Sequence, residues 1–286
     1  MAETSEVARR KLTRQLRELR EAAGMTQQAA ADSLEWSLSK FNRIEKGLTG
    51  LRGMDAKNMA ELYGRPDLAE SLSALAIAAK TKSWYHEYGD VIPEAFDIYI
   101  GMEAAADRLR WFESELVPGI FQTGDYARTL IRTGRPDAPD DEIDRRVQLR
   151  LTRQALLTRE DDPQHWHIVL PEGVLHRPVG GRAVMRAQLD RLLEVAELPN
   201  VTLGVIPVAA GMHYGILSGP FVLLDFPDSS EPTTVYIEGL TGALYTADIK
   251  QVDRYRAAFD AIEKATRTAT ESKDLIAQAA KEMSKR

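Results

Sequence analysis

The chain has 286 residues, no cysteine and 28% charged residues, with a formal net charge of −6. That length suits two domains, and the missing thiols exclude disulfides, zinc fingers and thiol chemistry, as fits a cytoplasmic protein. Residues 1–80 hold 13 Lys and Arg against 11 Asp and Glu, and residues 81–286 hold 24 against 32, which excludes a general polyanion coat and favours a specific, salt-sensitive site in the first part.

Residues 1–25 contain no uninterrupted apolar core of the signal-peptide kind, and no apolar run approaches the roughly 20 residues that span a bilayer. The expectation is a cytoplasmic protein with no membrane partner.

The first helix is expected over residues 7–23, where Leu12, Leu16, Leu19 and Ala23 recur on one face of a 3.6-residue period. Gly24 follows as a C′ residue does. Thr26 offers a side-chain oxygen as N-cap of a short second helix whose inner residues are Ala30, Ala31 and Leu34. Ser37 caps a third helix running to about Lys46, with Phe41 and Ile44 turned inward. Ser39, Lys40 and Arg43 fall on its opposite face, Asn42 and Lys46 flank them, and Gly47 closes it. Residues 53–63 form a fourth helix, offering Met59, Ala60 and Leu62 to the same core. Gly64 ends it, and Pro66 opens a fifth helix at N1. A short capped helix with one polar side fits the major groove of B-DNA, about 12 Å wide. A merely solvated polar face is the competing reading.

Thr26-Gln27-Gln28, Ala31, Leu34, Ser37, Arg43-Ile44-Glu45-Lys46-Gly47 and Ala60 carry a resemblance over residues 8–64. The stretch resembles the Xre-type (lambda-repressor-like) helix-turn-helix family. Two residues depart from the pattern. Glu35 stands where the family has a turn glycine, with modest strain if φ is positive there. Trp36 replaces a small aliphatic residue and reads as a core plug. The resemblance implies a double-stranded DNA operator as partner. It makes Thr26 and Gln27 phosphate or backbone contacts, and places Gln28 near the groove. Ser37, Ser39, Lys40 and Arg43 become the leading base or phosphate contacts, with Asn42 and Lys46 secondary. Lys40 reads as a phosphate anchor, because phosphate contacts outnumber base contacts. Arg43 has a second reading, an internal ion pair within the Arg-Ile-Glu run. The chain is expected to act as a homodimer, with its two heads on half-sites about 34 Å apart.

Residues 66–83 read as a helical connector through Leu68, Leu72, Leu75, Ile77 and Ala79. An aromatic stretch follows, from Trp84 to Tyr99 with Trp111-Phe112. It reads as a ligand pocket, a partner groove, or the wedge between connector and next domain. A helix is expected over 103–112, with Met102, Ala106, Leu109 and Phe112 inward. Pro118-Gly119 breaks it, and Gln122-Thr123-Gly124 forms a polar turn. Helices are expected over 125–132 and 139–160, the latter carrying Ile143, Val147, Leu151 and Leu156 with many arginines. Strand signals lie at 166–170, 201–208, 220–226 and 233–238. A helix over 181–197 makes a right-handed βαβ crossover of the first two, and the last two read as a meander. Helices over 247–268 and 271–285 close the chain. The expected fold is mainly α with α/β. Residues 1–80 form a five-helix lambda-repressor-like DNA-binding domain with its connector. Residues 84–286 form a regulatory and dimerising domain, a small four-stranded sheet packed with helices.

A second resemblance is carried by Val117-Pro118-Gly119-Ile120-Phe121-Gln122-Thr123, Tyr126-Ala127-Arg128, Arg150 and Arg153-Gln154. Leu175-His176-Arg177-Pro178-Val179-Gly180-Gly181, Gln188-Leu189, Gly219-Pro220-Phe221 and Tyr255 continue it. These resemble the C-terminal domain that follows Xre heads in many regulators of filamentous bacteria, the Scr-type antitoxin-like regulators. The resemblance implies a DNA-binding regulator, often encoded beside a very small partner protein that it holds or answers to.

No Gly-rich phosphate loop, HExxH or nucleophile elbow is present, so no enzymatic activity, cofactor or metal is expected. His165 and His167 share a strand face and read as packing residues, or as metal ligands given a nearby carboxylate. His176-Arg177 reads as an anion site, or as an arginine fastening a loop to the sheet. Glu160-Asp161-Asp162 and Asp140-Asp141-Glu142 read as solvated loops or helix starts. Residues 211–215 read as a mobile loop of the kind a partner binds. Two functions follow: a sequence-specific bacterial transcription regulator, or an antitoxin-like protein that mainly sequesters a small partner and autoregulates its operon.

Overall fold

The leucine repeat of the first segment folds, in the computed structural model of the chain, as α1, Ser5–Ala22. The structure describes residues 5–81, 84–92, 94–228 and 231–285. Gly24 takes a left-handed φ of 68° and turns the chain. Then come α2 (Gln27–Ser33), α3 (Leu38–Glu45) and α4 (Gly53–Leu62). A 3-10 turn at Pro66–Leu68 leads into α5 (Ala69–Ala78). The inner residues of these helices meet in one core. Leu12, Leu16, Ala31, Phe41, Ile44, Met59, Ala60 and Leu72 are buried there. Burial of each larger side chain stabilises the head by about 1.5–3 kcal/mol.

The chain divides into two compact units, Met1–His86 with Ile100–Ala105, and Glu87–Tyr99 with Ala106–Arg286. The first therefore holds more than the five helices expected. It also includes the 3-10 turn at Trp84–Tyr88 up to His86, and the end of α6 (Glu94–Ala105).

Of the helix expected over 103–112, only residues 103–105 are helical, as the end of α6. The chain leaves α6 at Ala105 and runs as β1, Arg108–Phe112. Met102, Ala106 and Leu109 do have helical spacing, but tertiary pairing overrides it. β1 is hydrogen-bonded on both sides, parallel to β2 (His165–Pro171) and antiparallel to β4 (Phe221–Asp225). The sheet has six strands rather than four, in the order β3-β2-β1-β4-β5-β6. β3 is Val201–Ile206, β5 Thr234–Gly239 and β6 Gly242–Thr246. β6 has no apolar/polar alternation in its sequence, Gly-Ala-Leu-Tyr-Thr, and none of its side chains is fully buried, so no strand is expected there from the sequence. β2 and β3 are parallel, and β4, β5 and β6 form an antiparallel meander.

Helices surround this sheet. α7 (Gly124–Gly134) pairs with α8 (Asp140–Thr152), burying Ala127, Ile143 and Val147. The long helix expected to residue 160 stops at Thr152 and tightens into a 3-10 segment, Arg153–Thr158. The short α9 (Gly173–His176) and α10 (Arg182–Val195) connect β2 to β3. α11 (Tyr214–Ser218) precedes β4. α12 (Ile249–Glu263) lays Val252, Phe259 and Ile262 on Phe112, Val169, Phe221 and Val235 of the sheet. α13 (Ala269–Ser284) starts with a complete capping box between Thr268 and Glu271. Its Ser272 Oγ accepts from Val205 N at 3.0 Å, and Arg267 N donates to Val205 O at 2.9 Å, so the outer edge of β3 is bonded. Among the described residues, no helix is long and apolar enough to cross a membrane.

Candidate nucleic-acid interface

The interface begins with two caps. Thr26 Oγ1 accepts from Ala29 N at 3.1 Å and opens α2, and Ser37 Oγ accepts from Lys40 N at 3.2 Å and opens α3. Each such cap contributes about 1 kcal/mol. Between the helices, Glu35 adopts φ of 56°. Glu35 N bonds Asp32 O and Trp36 N bonds Ala31 O, which closes the end of α2. A residue with a Cβ in the left-handed region costs about 1–2 kcal/mol. Trp36 packs against the core of the head, as a plug would, and its ring also carries Lys40, whose Nζ lies 3.8 Å from the ring centroid.

Phe41 and Ile44 anchor α3 from inside, at 0% and 2% exposure. A buried polar clamp does the rest. Arg20 Nε donates to Glu45 Oε1 at 2.6 Å, and Arg20 Nη1 donates to Met25 O at 2.8 Å. Gln27 Nε2 donates to the other carboxylate oxygen of Glu45 at 2.7 Å, and Arg17 Nη2 reaches the Glu45 carbonyl at 3.2 Å. The clamp ties α1, α2 and α3 together at one carboxylate. Its hydrogen bond and charge raise the Arg20 guanidinium further above its usual range. Burial, then the Glu45 charge, push the Tyr63 phenol well above its ordinary range.

Thr26, Gln27, Gln28, Ser37, Ser39, Lys40, Arg43 and Lys46 are exposed, and Asn42 is half-buried. Ser39, Asn42, Arg43 and Lys46 fall at i, i+3, i+4 and i+7, one stripe along α3. Lys40 stands beside that stripe on its aromatic seat. Arg43 and Lys46 make no ion pair among the described residues, so the pairing weighed for Arg43 does not form: Glu45 belongs to Arg20. Gln27 is occupied by Glu45, and Gln28 Nε2 donates to Asp32 Oδ1 at 2.7 Å. Asn42 Oδ1 is buried without a hydrogen-bond partner among the described residues. The edge of α3 thus presents donors and positive charge, the complement of phosphate oxygens and of guanine acceptors in the major groove.

Sequence reasoning missed the clamp, although a signal for it was present. Arg20 lies four residues after Leu16 and eight after Leu12, so a charged residue occupies the apolar stripe of α1. Such a position requires a partner.

Several of the second unit's signature residues serve its interior. Gln122 Nε2 donates to Val117 O at 2.6 Å, and its Oε1 accepts from Arg150 Nη1 at 2.8 Å. Gln154 Nε2 reaches the Gln122 carbonyl at 2.6 Å. Gln188, fully buried, accepts from Thr123 N and donates to Phe121 O, both at 2.8 Å. Arg177 bonds the carbonyl and carboxylate of Glu115, so it ties its loop to the loop after β1 rather than to the sheet. His167 lies 3.4 Å from Glu263 and edge-on to Phe259. Among the described residues, no group of three or more His, Cys, Asp or Glu is placed to hold a metal ion.

Residues 96–278 match a domain of unknown function (DUF5753), and residues 11–72 match a helix-turn-helix domain. No curated protein and no solved structure matches the chain.

Proposed function

The chain belongs to the DUF5753 family, and from that premise we propose that this member is a sequence-specific transcription regulator reading double-stranded DNA through α3. Its helix-turn-helix head marks a DNA-binding regulator. One observation carries the finer reading. The exposed edge of Ser39, Lys40, Arg43 and Lys46 lies on a helix whose other side is locked by Phe41, Ile44 and the Arg20–Glu45 clamp. A rigid helix loses little entropy on entering the groove. Lys40 is assigned to phosphate, Arg43 and Ser39 to base edges or phosphate, and Thr26 and Ser37 to caps that also lie against the backbone.

A single α3 of eight residues spans few base pairs. Two copies on half-sites about 34 Å apart give the affinity an operator needs. The second unit supplies the dimer contact and the surface that receives a small protein or ligand. The resemblance to regulators encoded beside a very small protein supports that assignment. The net charge of −8 over residues 81–286 keeps this unit from competing for phosphate. The test is fluorescence anisotropy on a fragment enriched from genomic DNA, with the parent and the Lys40→Ala/Arg43→Ala variant. Loss of affinity at unchanged melting temperature supports the reading, and undiminished affinity overturns it.

A further inference from the structure

The arginines of the segment after residue 139 remain without a role in DNA reading, and three of them share a cleft. It measures about 590 Å³ and lies wholly within the second unit, between α7 and α8 on one side and the tip of the β5–β6 hairpin on the other. Arg146, Arg150 and Arg153 stand at i, i+4 and i+7 along one wall, and Arg135 joins them from the end of α7. Arg146 and Arg135 reach the same carboxylate, Glu142, at 2.8 and 3.5 Å. Two guanidinium groups on one carboxylate leave a positive charge over. Arg153 is only 2% exposed, with its guanidinium 5.1 Å from the Phe96 ring centroid and 5.6 Å from that of Tyr99. Phe96 lines the cleft, as do Leu130, Ile131 and Leu149, so the file of guanidinium groups borders an apolar floor. Glu238 is the one carboxylate among its described lining residues, and it is exposed on the hairpin wall. Leu240 stands fully exposed at the hairpin tip and forms the lip.

Guanidinium groups match the paired oxygens of carboxylate, phosphate and sulfonate, and also stack on aromatic faces. The volume lies in the range of small-molecule sites. We propose that this cleft binds a small organic anion, one acidic group carried on a flat apolar body. The acidic group meets Arg146 and Arg150, and the body lies on Phe96 and Leu149 beneath the hairpin lip. This deepens the ligand-receiving role given to the second unit and rests on no DNA contact, so failure of α3 to bind DNA leaves it standing.

The test titrates the intact chain, without DNA, with anilinonaphthalene sulfonate, which carries one sulfonate on two aromatic systems. Its uncharged counterpart, N-phenyl-1-naphthylamine, is titrated in parallel. The expected result is saturable binding of one sulfonate probe per chain, at least tenfold tighter than the neutral compound. Arg146→Gln weakens it about tenfold. Leu240→Asp, which adds a carboxylate at the lip on a fully exposed residue, weakens it as much and holds the test if Arg146→Gln fails to fold. Leu217→Asp, on an exposed residue lining another cleft, leaves the titration unchanged. Equal binding of the neutral compound, no saturable binding, or a titration unmoved by Leu240→Asp would each overturn the proposal.

Discussion

Arg20 Nε lies 2.6 Å from Glu45 Oε1, with both side chains almost wholly buried. The pair joins the first helix of the head to the end of the helix assigned to the groove. Coulomb attraction in a dry site is opposed by the cost of desolvating both ions. The pair therefore sets where α3 sits more than how stable the head is.

Removing one partner is a different matter. Glu45→Ala strands a buried guanidinium and costs about 3–5 kcal/mol. Differential scanning calorimetry should show the head transition falling steeply. Arg20→Met combined with Glu45→Leu should recover most of the loss, because no buried charge is left. A single variant melting with the parent would contradict the clamp.

Glu35 holds φ of 56° in the turn before α3. Glu35→Gly relieves the strain of the Cβ but loosens the unfolded chain, for a net stabilisation of about 0.5–1 kcal/mol. A urea midpoint that rises with unchanged slope is expected. A lower midpoint would show that the glutamate side chain itself holds the turn.

In the second unit, Gln188→Leu leaves Thr123 N and Phe121 O without their buried partner. Each unmade bond costs about 1–3 kcal/mol. The transition of the second unit should drop while that of the head stays in place. An unmoved transition would mean that the turn at residues 117–123 is held by its other bonds alone.

Burial lowers the pKa of His167, opposed by Glu263 and reinforced by Arg110 and Arg108. A depressed folded value means the unfolded chain takes the proton more readily. Its contribution is fully present above the unfolded value, about 6.5, and is lost as pH falls toward the folded one. Chemical denaturation at pH 7.5 and 5.5 should therefore show a smaller acid loss in His167→Gln than in the parent. Equal losses would remove this role.

The head was legible because its rules are local. Thr26 and Ser37 cap where a hydroxyl should, Phe41 and Ile44 are buried at helical spacing, and Gly24 and Gly47 turn left-handed. What escaped was non-local. Arg20 and Glu45 are 25 residues apart, and nothing in either neighbourhood names the other. The same limit governed the second unit. Leu109 and Phe112 carry helix-like spacing, yet His165–Pro171 and Phe221–Asp225 make Arg108–Phe112 a central strand. Gly242–Thr246 has no alternation of apolar and polar residues in its sequence and becomes a strand by pairing with β5. The site residues divide in the same way. Arg43 and Lys46 could be placed on the exposed edge from spacing alone, but the tie of Gln27 to Glu45 and the seat of Lys40 on Trp36 needed the fold.

Operator affinity across a range of salt concentrations, for the parent and for Lys40→Ala, reaches the central claim most directly. If α3 enters the groove with Lys40 on phosphate, the parent's log affinity falls linearly with log salt. The variant's slope should then be shallower by about 0.9 for each Lys40, about 1.8 for the two copies on an operator, with affinity lower at every site sequence tried. Arg43→Ala should cost about 1–3 kcal/mol at each half-site and relax the preferred sequence. Parallel salt dependences with equal affinities for parent and both variants would show that DNA, if bound, is not held by the edge of α3.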